Sequence, residues 1–277
     1  ILVTHALTGK KQPLAMAGPA NKQGRLIADH IFGKTVVNNG YIGSGVVKLF
    51  DMHIATTGLR EKDMAELDYD YEVVYAAPPG IVGIMPGAHL VFSKLLFDKK
   101  DGKILGAQFA STGASDKRAD VIAVAIKAGM NVYDLFDLEL TYAPTFGTGK
   151  DVTNKIGYVA TNLLENMFKQ VRFSDVYDLL ENNKQVIDVR EPNEYAAGHI
   201  DGVKNIPMSE MRDRLDELNK DEIVYVHCRT GERSYKMALM LESKGYKAVN
   251  IAGSWEFVVT YEEMMRYNDS SRKNILV

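Results

Sequence analysis

Cys228 is the sole cysteine of the chain and heads the segment Cys228-Arg229-Thr230-Gly231-Glu232-Arg233-Ser234. An apolar run, Ile223-Val224-Tyr225-Val226, leads in, and a helical pattern from Ser234 to Lys244 leads out. Strand, tight loop and helix together place one thiol where backbone N–H groups and a helix N-terminus converge. Both favour negative charge, so the chemistry on offer is that of a thiolate nucleophile at neutral pH. Arg229 and Arg233 add positive charge and are expected to hold an anionic sulfur donor. A lone cysteine is more often an inert buried one; the loop context points the other way. With no second thiol, no disulfide within the chain can quench it.

The elements that must position this loop alternate. From Phe173 the pattern predicts a helix begun at Ser174 and run to Asn182, a buried strand Val186–Val189 and a helix 192–197. Strand 203–206, helix 209–218, strand 223–227, strand 247–251 and a helix from Ser254 complete it. Short strands alternating with helices predict a parallel α/β sheet, and ligands of such sheets bind beyond the carboxyl ends of the strands, where Cys228 stands. Asp188 and Arg190 end a strand beside the loop and are expected to brace it, with Arg190 pairing Glu194. His227 should point away from Cys228 and pack.

The preceding region is strand-rich. Val46–Thr56 reads as one strand and Tyr71–Tyr75 as another, while Leu90–Phe97 and Lys103–Phe109 flank the turn Lys99-Lys100-Asp101-Gly102 as a hairpin. Helices are predicted at Lys117–Ala128 and Asp151–Met167, with the Pro/Gly-rich stretch Tyr142–Gly149 between them. This is an α+β domain. The boundary should fall near Phe168–Phe173 without a flexible linker, because no Gly/Ser/Pro run occurs there. The first 32 residues read as an incomplete piece, a helix from Asn21 to Phe32 opened by Ala17-Gly18-Pro19-Ala20.

Residues 173–277 resemble the rhodanese family. The resemblance rests on Val186-Ile187-Asp188-Val189-Arg190-Glu191, Glu194-Tyr195, Gly198-His199-Ile200, Val203–Pro207, the Cys228–Ser234 loop, and Gly245-Tyr246 through Trp255, in family order and spacing. It implies a sulfurtransferase in which Cys228 accepts a sulfane sulfur, holds it as a persulfide in the Arg229–Ser234 loop, and passes it to a nucleophile. His199 fits the family's structural signature better than the role of a general base. Cysteine-dependent phosphatases use a similar loop with five residues between Cys and Arg; here four separate Cys228 from Arg233.

The first part is similar to the flavin- and nicotinamide-dependent disulfide reductases, in particular the coenzyme A-disulfide reductase branch. Leu14–Arg25 resembles the end of a flavin domain, which would set Pro19, Ala20 and Asn21 at a helix N-terminus facing the flavin. Residues 33–168 resemble the dimerisation domain, through Asp116-Lys117-Arg118 and Tyr142–Gly147. In that family the latter stretch reaches the partner subunit's active site, and Tyr142 would lie near the substrate sulfur. The resemblances divide the chain into 1–32, a flavin-domain remnant; 33–168, an α+β dimerisation domain with an antiparallel sheet; and 169–277, an α/β rhodanese-like domain with a central parallel sheet. They imply a homodimer through residues 33–168, thiol or persulfide substrates such as coenzyme A or glutathione, and FAD with NAD(P)H in the intact enzyme.

The chain itself carries no dinucleotide fingerprint. Gly43-Ser44-Gly45 runs into Val46-Val47-Lys48, within a predicted strand, and Gly147-Thr148-Gly149-Lys150 has Pro144 where a P-loop needs glycine. The chain alone is therefore expected to bind no cofactor. A net charge of −3 and no basic block give no case for nucleic acid, no apolar run spans a membrane, and the histidines show no metal-ligand spacing. A single cysteine and no visible signal peptide fit a reducing cytoplasm. The other reading is a non-catalytic sulfur-sensing or docking module on a dimer scaffold.

Overall fold

The computed structural model describes residues 2–67 and 69–277. A two-stranded ribbon, β1 (Leu2–Thr4) and β2 (Lys11–Pro13), leads to helix α1 (Ala17–Ile31). Next come β3 (Gly45–Leu49), β4 (Met52–Gly58), α2 (Glu61–Met64), β5 (Tyr71–Ala76), β6 (Phe92–Asp98), β7 (Ile104–Ser111), α3 (Ser115–Ala128), α4 (Val132–Asp137) and α5 (Val152–Leu164). These strands pair antiparallel in the order β3-β4-β7-β6-β5. Helices α3 to α5 bury Ile122, Ile126, Leu135 and Ile156 against Leu95, Phe97, Ile104 and Phe109 of the sheet.

The second half contains β8 (Gln170–Val171), α6 (Val176–Glu181), β9 (Gln185–Asp188), α7 (Pro192–Ala196), β10 (Lys204–Asn205), β11 (Ile223–His227), α8 (Glu232–Ser243), β12 (Lys247–Ile251) and α9 (Ser254–Asn268). Its strands are all parallel in the order β10-β9-β11-β12-β8. The central strands β11 and β12 are apolar on both faces, as a doubly covered sheet demands: Val224 and Val226 pack with Met237 and Leu241, and Ile251 packs with Val176 and Val258. The two-sheet architecture is the one expected from the sequence.

Three local expectations are corrected. Val46–Thr56 is two strands rather than one; the chain reverses at Phe50, whose φ is +51°. No glycine or asparagine marks that turn, so periodicity ran through it. The helix expected at 209–218 is two single 3₁₀ turns, Met211–Asp213 and Leu215–Glu217, which together bury Met211 and Leu218 in the core. Ser174 caps no helix: Phe173–Asp175 is a 3₁₀ turn closed by the Asp175 carboxylate, which accepts the Arg172 N–H at 2.8 Å.

The two sheets meet through an aromatic cluster. Phe257 of α9 packs on Tyr75, Phe92 and Phe173 with centroids 5.2–5.7 Å apart. Gln170 Nε2 donates to the Val73 carbonyl at 2.8 Å, and Arg172 pairs with Glu61 at 2.5 Å. Helix α1, by contrast, buries no residue and exposes Ile27 and Ile31, with Phe32 following.

Candidate active site

Cys228 follows β11 directly, and its main chain is fixed by neighbours on both sides. The β12–α9 junction supplies three bonds: the Trp255 N–H donates to the Cys228 carbonyl (3.0 Å), the Glu256 N–H to the Arg229 carbonyl (3.1 Å), and the Cys228 N–H to Ser254 Oγ (3.2 Å). The free N–H groups at the start of α9 are thus satisfied by the carbonyls of the cysteine loop. On the other side the Val189 N–H donates to the His227 carbonyl at 2.9 Å.

The loop then wraps its own sulfur. Gly231 adopts φ +102°, a region that side chains rarely enter, and this turns its N–H onto Sγ at 3.1 Å. The backbone N–H groups of Thr230, Glu232 and Arg233 have no protein acceptor among the described residues. With the N-terminus of α8 behind them, they leave this end of the loop favourable to negative charge. Two hydroxyls lie near the sulfur. Ser234 Oγ lies 3.5 Å from Sγ and Ser254 Oγ 4.0 Å, and each also has a backbone carbonyl within reach: Gly231 at 3.2 Å and Ile251 at 3.1 Å. A single rotation moves each proton from carbonyl to sulfur, so the donors can follow the charge.

Ser254 was not foreseen as a site residue. It is fully buried with φ +54°, a strained conformation for a residue with a Cβ, retained where its hydroxyl holds the Cys228 N–H. The only sequence signal was Gly253-Ser254 at a strand end opposite the cysteine loop.

The arginines of the loop take carboxylate partners. Arg229 Nε donates to Glu256 Oε1 at 2.7 Å, and Arg233 makes a two-pronged pair with Glu194 at 2.5 and 2.7 Å. Both guanidinium groups have carboxylate partners within the protein, and Arg233 also acts electrostatically on Cys228. The hydrogen bonds from Arg233 hold the Glu194 carboxyl down at about 2. Arg190 accordingly does not pair with Glu194. It takes Asp188, two residues back on the same face, through Nε (2.9 Å) and Nη2 (2.7 Å). Both side chains are buried; Arg190 also donates to the Gly198 carbonyl (2.8 Å) and stacks on Trp255 at 4.2 Å. Trp255 is therefore occupied in packing. This brace fixes the C-terminal end of β9 next to Val189, which in turn holds His227.

His227 is fully buried, and burial lowers its pKa. Its Nε2 stands 3.8 Å from Asp188 Oδ2 without a hydrogen bond. His199 stacks on Tyr195 at 3.8 Å and bonds to that residue's carbonyl, again a packing arrangement. Cys228 itself is 1% exposed, whereas the chemistry expected of it calls for an accessible thiolate.

The remaining candidates lie on another surface. Tyr142 and Phe146 are 53% and 72% exposed on a turn closed by the Phe146 and Gly147 N–H groups on the Ala143 carbonyl. Pro19 and Ala20 lie in the first turn of α1 and Asn21 just beyond it; no side chain caps the helix, and Asn21 Nδ2 bonds back to the Ala17 carbonyl. That free N-terminus suits a polar or anionic group, but no βαβ unit for a dinucleotide is built from the residues around it. Among the described residues there is no cluster of metal-ligating side chains and no helix long and apolar enough to cross a membrane.

The fold and the loop together define a two-part protein: an antiparallel α+β unit joined to a parallel α/β unit that presents a buried cysteine at the end of a central strand. The family model of the pyridine nucleotide-disulphide oxidoreductase dimerisation domain matches residues 45–151, and that of the rhodanese-like domain matches residues 173–259. The chain joins these two domains. The crystal structure of reduced Bacillus anthracis CoADR-RHD is similar over 95% of this chain and 48% of its own, with 43% identity and a TM-score of 0.91. A NAD-dependent persulfide reductase from A. fulgidus matches 92% of this chain and 46% of its own, at 33% identity and a TM-score of 0.85. Coenzyme A disulfide reductase of Staphylococcus epidermidis is 31% identical over 146 residues, 52% of this chain. The chain spans 33% of that curated relative and about half of the two solved structures.

Proposed function

We propose that Cys228 carries sulfane sulfur as a persulfide, within a protein whose other parts reduce coenzyme A disulfide or low-molecular-weight persulfides with FAD and NAD(P)H. The observation that carries this reading is the Gly231 N–H on Sγ, in a loop whose Thr230, Glu232 and Arg233 N–H groups have no protein acceptor. In loading, the Cys228 thiolate attacks the outer sulfur of a donor such as thiosulfate. A new S–S bond forms, the donor's S–S bond breaks, and sulfite leaves with the electron pair. In unloading, an acceptor thiolate attacks the terminal sulfur, takes it as its own persulfide, and Cys228 leaves as thiolate. The Gly231 N–H and the two serine hydroxyls hold the negative charge in both steps.

FAD and NAD(P)H would be bound mainly by residues outside these domains, with Pro19, Ala20 and Asn21 at the flavin's edge, and no step at Cys228 passes through them. Tyr142 would act on the partner subunit's substrate in a homodimer formed through residues 33–168, with domain limits at 32 and 168. The near-complete burial of Cys228 favours a second reading, a non-catalytic sulfur-sensing or docking module on a dimer scaffold. Intact mass after incubation with thiosulfate separates the two. Gain of one sulfur atom, absent in Cys228→Ser and removed by cyanide, is the expected result. No gain with thiosulfate, glutathione persulfide or coenzyme A persulfide would establish the docking reading instead.

A further inference from the structure

Beside the cysteine loop, helices α7 and α8 are tied together by one ion pair. Arg233, in the first turn of α8, spends both Nη atoms on the Glu194 carboxylate of α7, at 2.5 and 2.7 Å. Glu194 is itself fixed, because its Oε2 accepts the Glu191 N–H at 3.1 Å as part of the capping box of α7. The donors that reach Sγ are the Gly231 N–H and the hydroxyls of Ser234 and Ser254; the Arg233 guanidinium is not among them. The cation is nevertheless within electrostatic reach of the sulfur. Its pKa is raised first by the hydrogen bonds to Glu194, against burial, and then by the field of Cys228.

Two anions can therefore compete for one guanidinium: the Glu194 carboxylate and an ionised sulfur. The carboxylate holds it across the whole neutral range, since its own pKa is about 2. The remaining charges around the loop are matched. Arg229 pairs with Glu256 of α9, and Glu232 with Lys236, with Lys150 and Lys155 of the first domain also acting on Glu232. Behind the cysteine, Arg190 pairs with Asp188, whose carboxylate faces the buried His227, and Glu191 takes Ser209 Oγ at 3.2 Å.

We infer that Glu194 is a positioning residue for the cysteine: by holding the Arg233 fork on α7, it keeps that cation from closing on Sγ and so tempers the acidity of the thiol. A thiolate made by tight contact with a guanidinium would form at lower pH but attack more weakly. Removal of the carboxylate alone frees Arg233 to swing onto the sulfur. The inference goes beyond the carrier reading, since the thiol ionises whether or not it takes up sulfur.

The sole cysteine makes the test direct. The ultraviolet thiolate band, taken as a difference against Cys228→Ser, titrates one group. Glu194→Gln should move the midpoint of that titration down by about one pH unit, and Arg233→Gln should move it up. Within Arg233→Gln, the same Glu194→Gln change should shift the midpoint by less than half as much, because no cation remains to swing. Glu194→Asp keeps the charge and should stay close to the wild-type midpoint. Asp29→Asn, which removes an ion-paired carboxylate from α1, should change nothing. Glu194→Ala and Arg233→Met serve in the same way if either Gln variant fails to fold. An unmoved or raised midpoint in Glu194→Gln overturns the inference. So does an equal shift in both backgrounds, which would mean that Glu194 acts through its own charge and not through Arg233. Thiosulfate loading of the wild-type chain reports separately: no loading removes the carrier and leaves the titration result standing.

Discussion

The Cys228 loop and the Tyr142 turn both lie just ahead of a helix, α8 and α5, yet they are built in opposite ways. Cys228 has its N–H, carbonyl and sulfur all engaged by groups of the same domain, and every one of those groups sits at the end of a parallel strand or the start of a helix. Tyr142 and Phe146 present large apolar side chains to solvent from a short turn. The buried Arg118–Asp151 pair (3.0 Å) anchors only the base of that segment, at the cap of α5. A parallel sheet gathers strand ends on one edge, so it can complete a site by itself. An antiparallel sheet with helices on one face offers no such convergence, and its exposed aromatics have work to do only against another surface.

Substitutions can break or sharpen this contrast. Cys228→Ser should abolish sulfur loading measured by intact mass, since no other thiol exists in the chain. Arg190→Ala leaves the Asp188 carboxylate buried without its partner; chemical denaturation should show a loss of about 3–5 kcal/mol. If the loss is below about 1 kcal/mol, the brace under the loop is not structural. Ser254→Ala removes the acceptor of the Cys228 N–H while keeping the strained backbone, costing about 1–2 kcal/mol and slowing thiosulfate loading. Ser254→Gly relieves the strain and should be the milder variant in stability but equally slow in loading.

Acid should loosen the loop in a defined window. Arg233 holds the Glu194 carboxyl at about 2, below its ordinary 4.5. The stability from this pair is therefore fully present above pH 4.5 and is lost as pH falls toward 2. Glu194→Gln should flatten the stability profile between those limits, as followed by Trp255 fluorescence. The smallest effect belongs to Tyr142→Phe: on an exposed turn it should change stability by less than about 0.5 kcal/mol and leave loading of Cys228 untouched. A large loading defect in that variant would mean that the two regions are coupled within one chain.

Much of this molecule is legible in order and pattern. The sole cysteine with its Arg–Thr–Gly loop, the strands at 223–227 and 247–251, and the hairpin across Lys99–Gly102 all rest on local signals: apolar runs, a glycine needing positive φ, and turn residues. The turn at Phe50 and the 3₁₀ turns at Met211–Glu217 were hidden because their residue types carry the opposite signal. Partner choice was hidden for a different reason. Arg190, Glu194 and Arg233 are three charged groups whose spacing permits several pairings, and only the placement of α7 against α8 decides that Glu194 goes to Arg233 and Arg190 to Asp188. The same holds for Ser254, brought to Cys228 across 26 residues. The sequence by itself determined the lone cysteine, its loop and the two-domain order, because these depend on neighbours in the chain. Tertiary structure alone decided which carboxylates take the arginines and what clamps the cysteine, because electrostatics and hydrogen bonding act through space between groups that the chain separates.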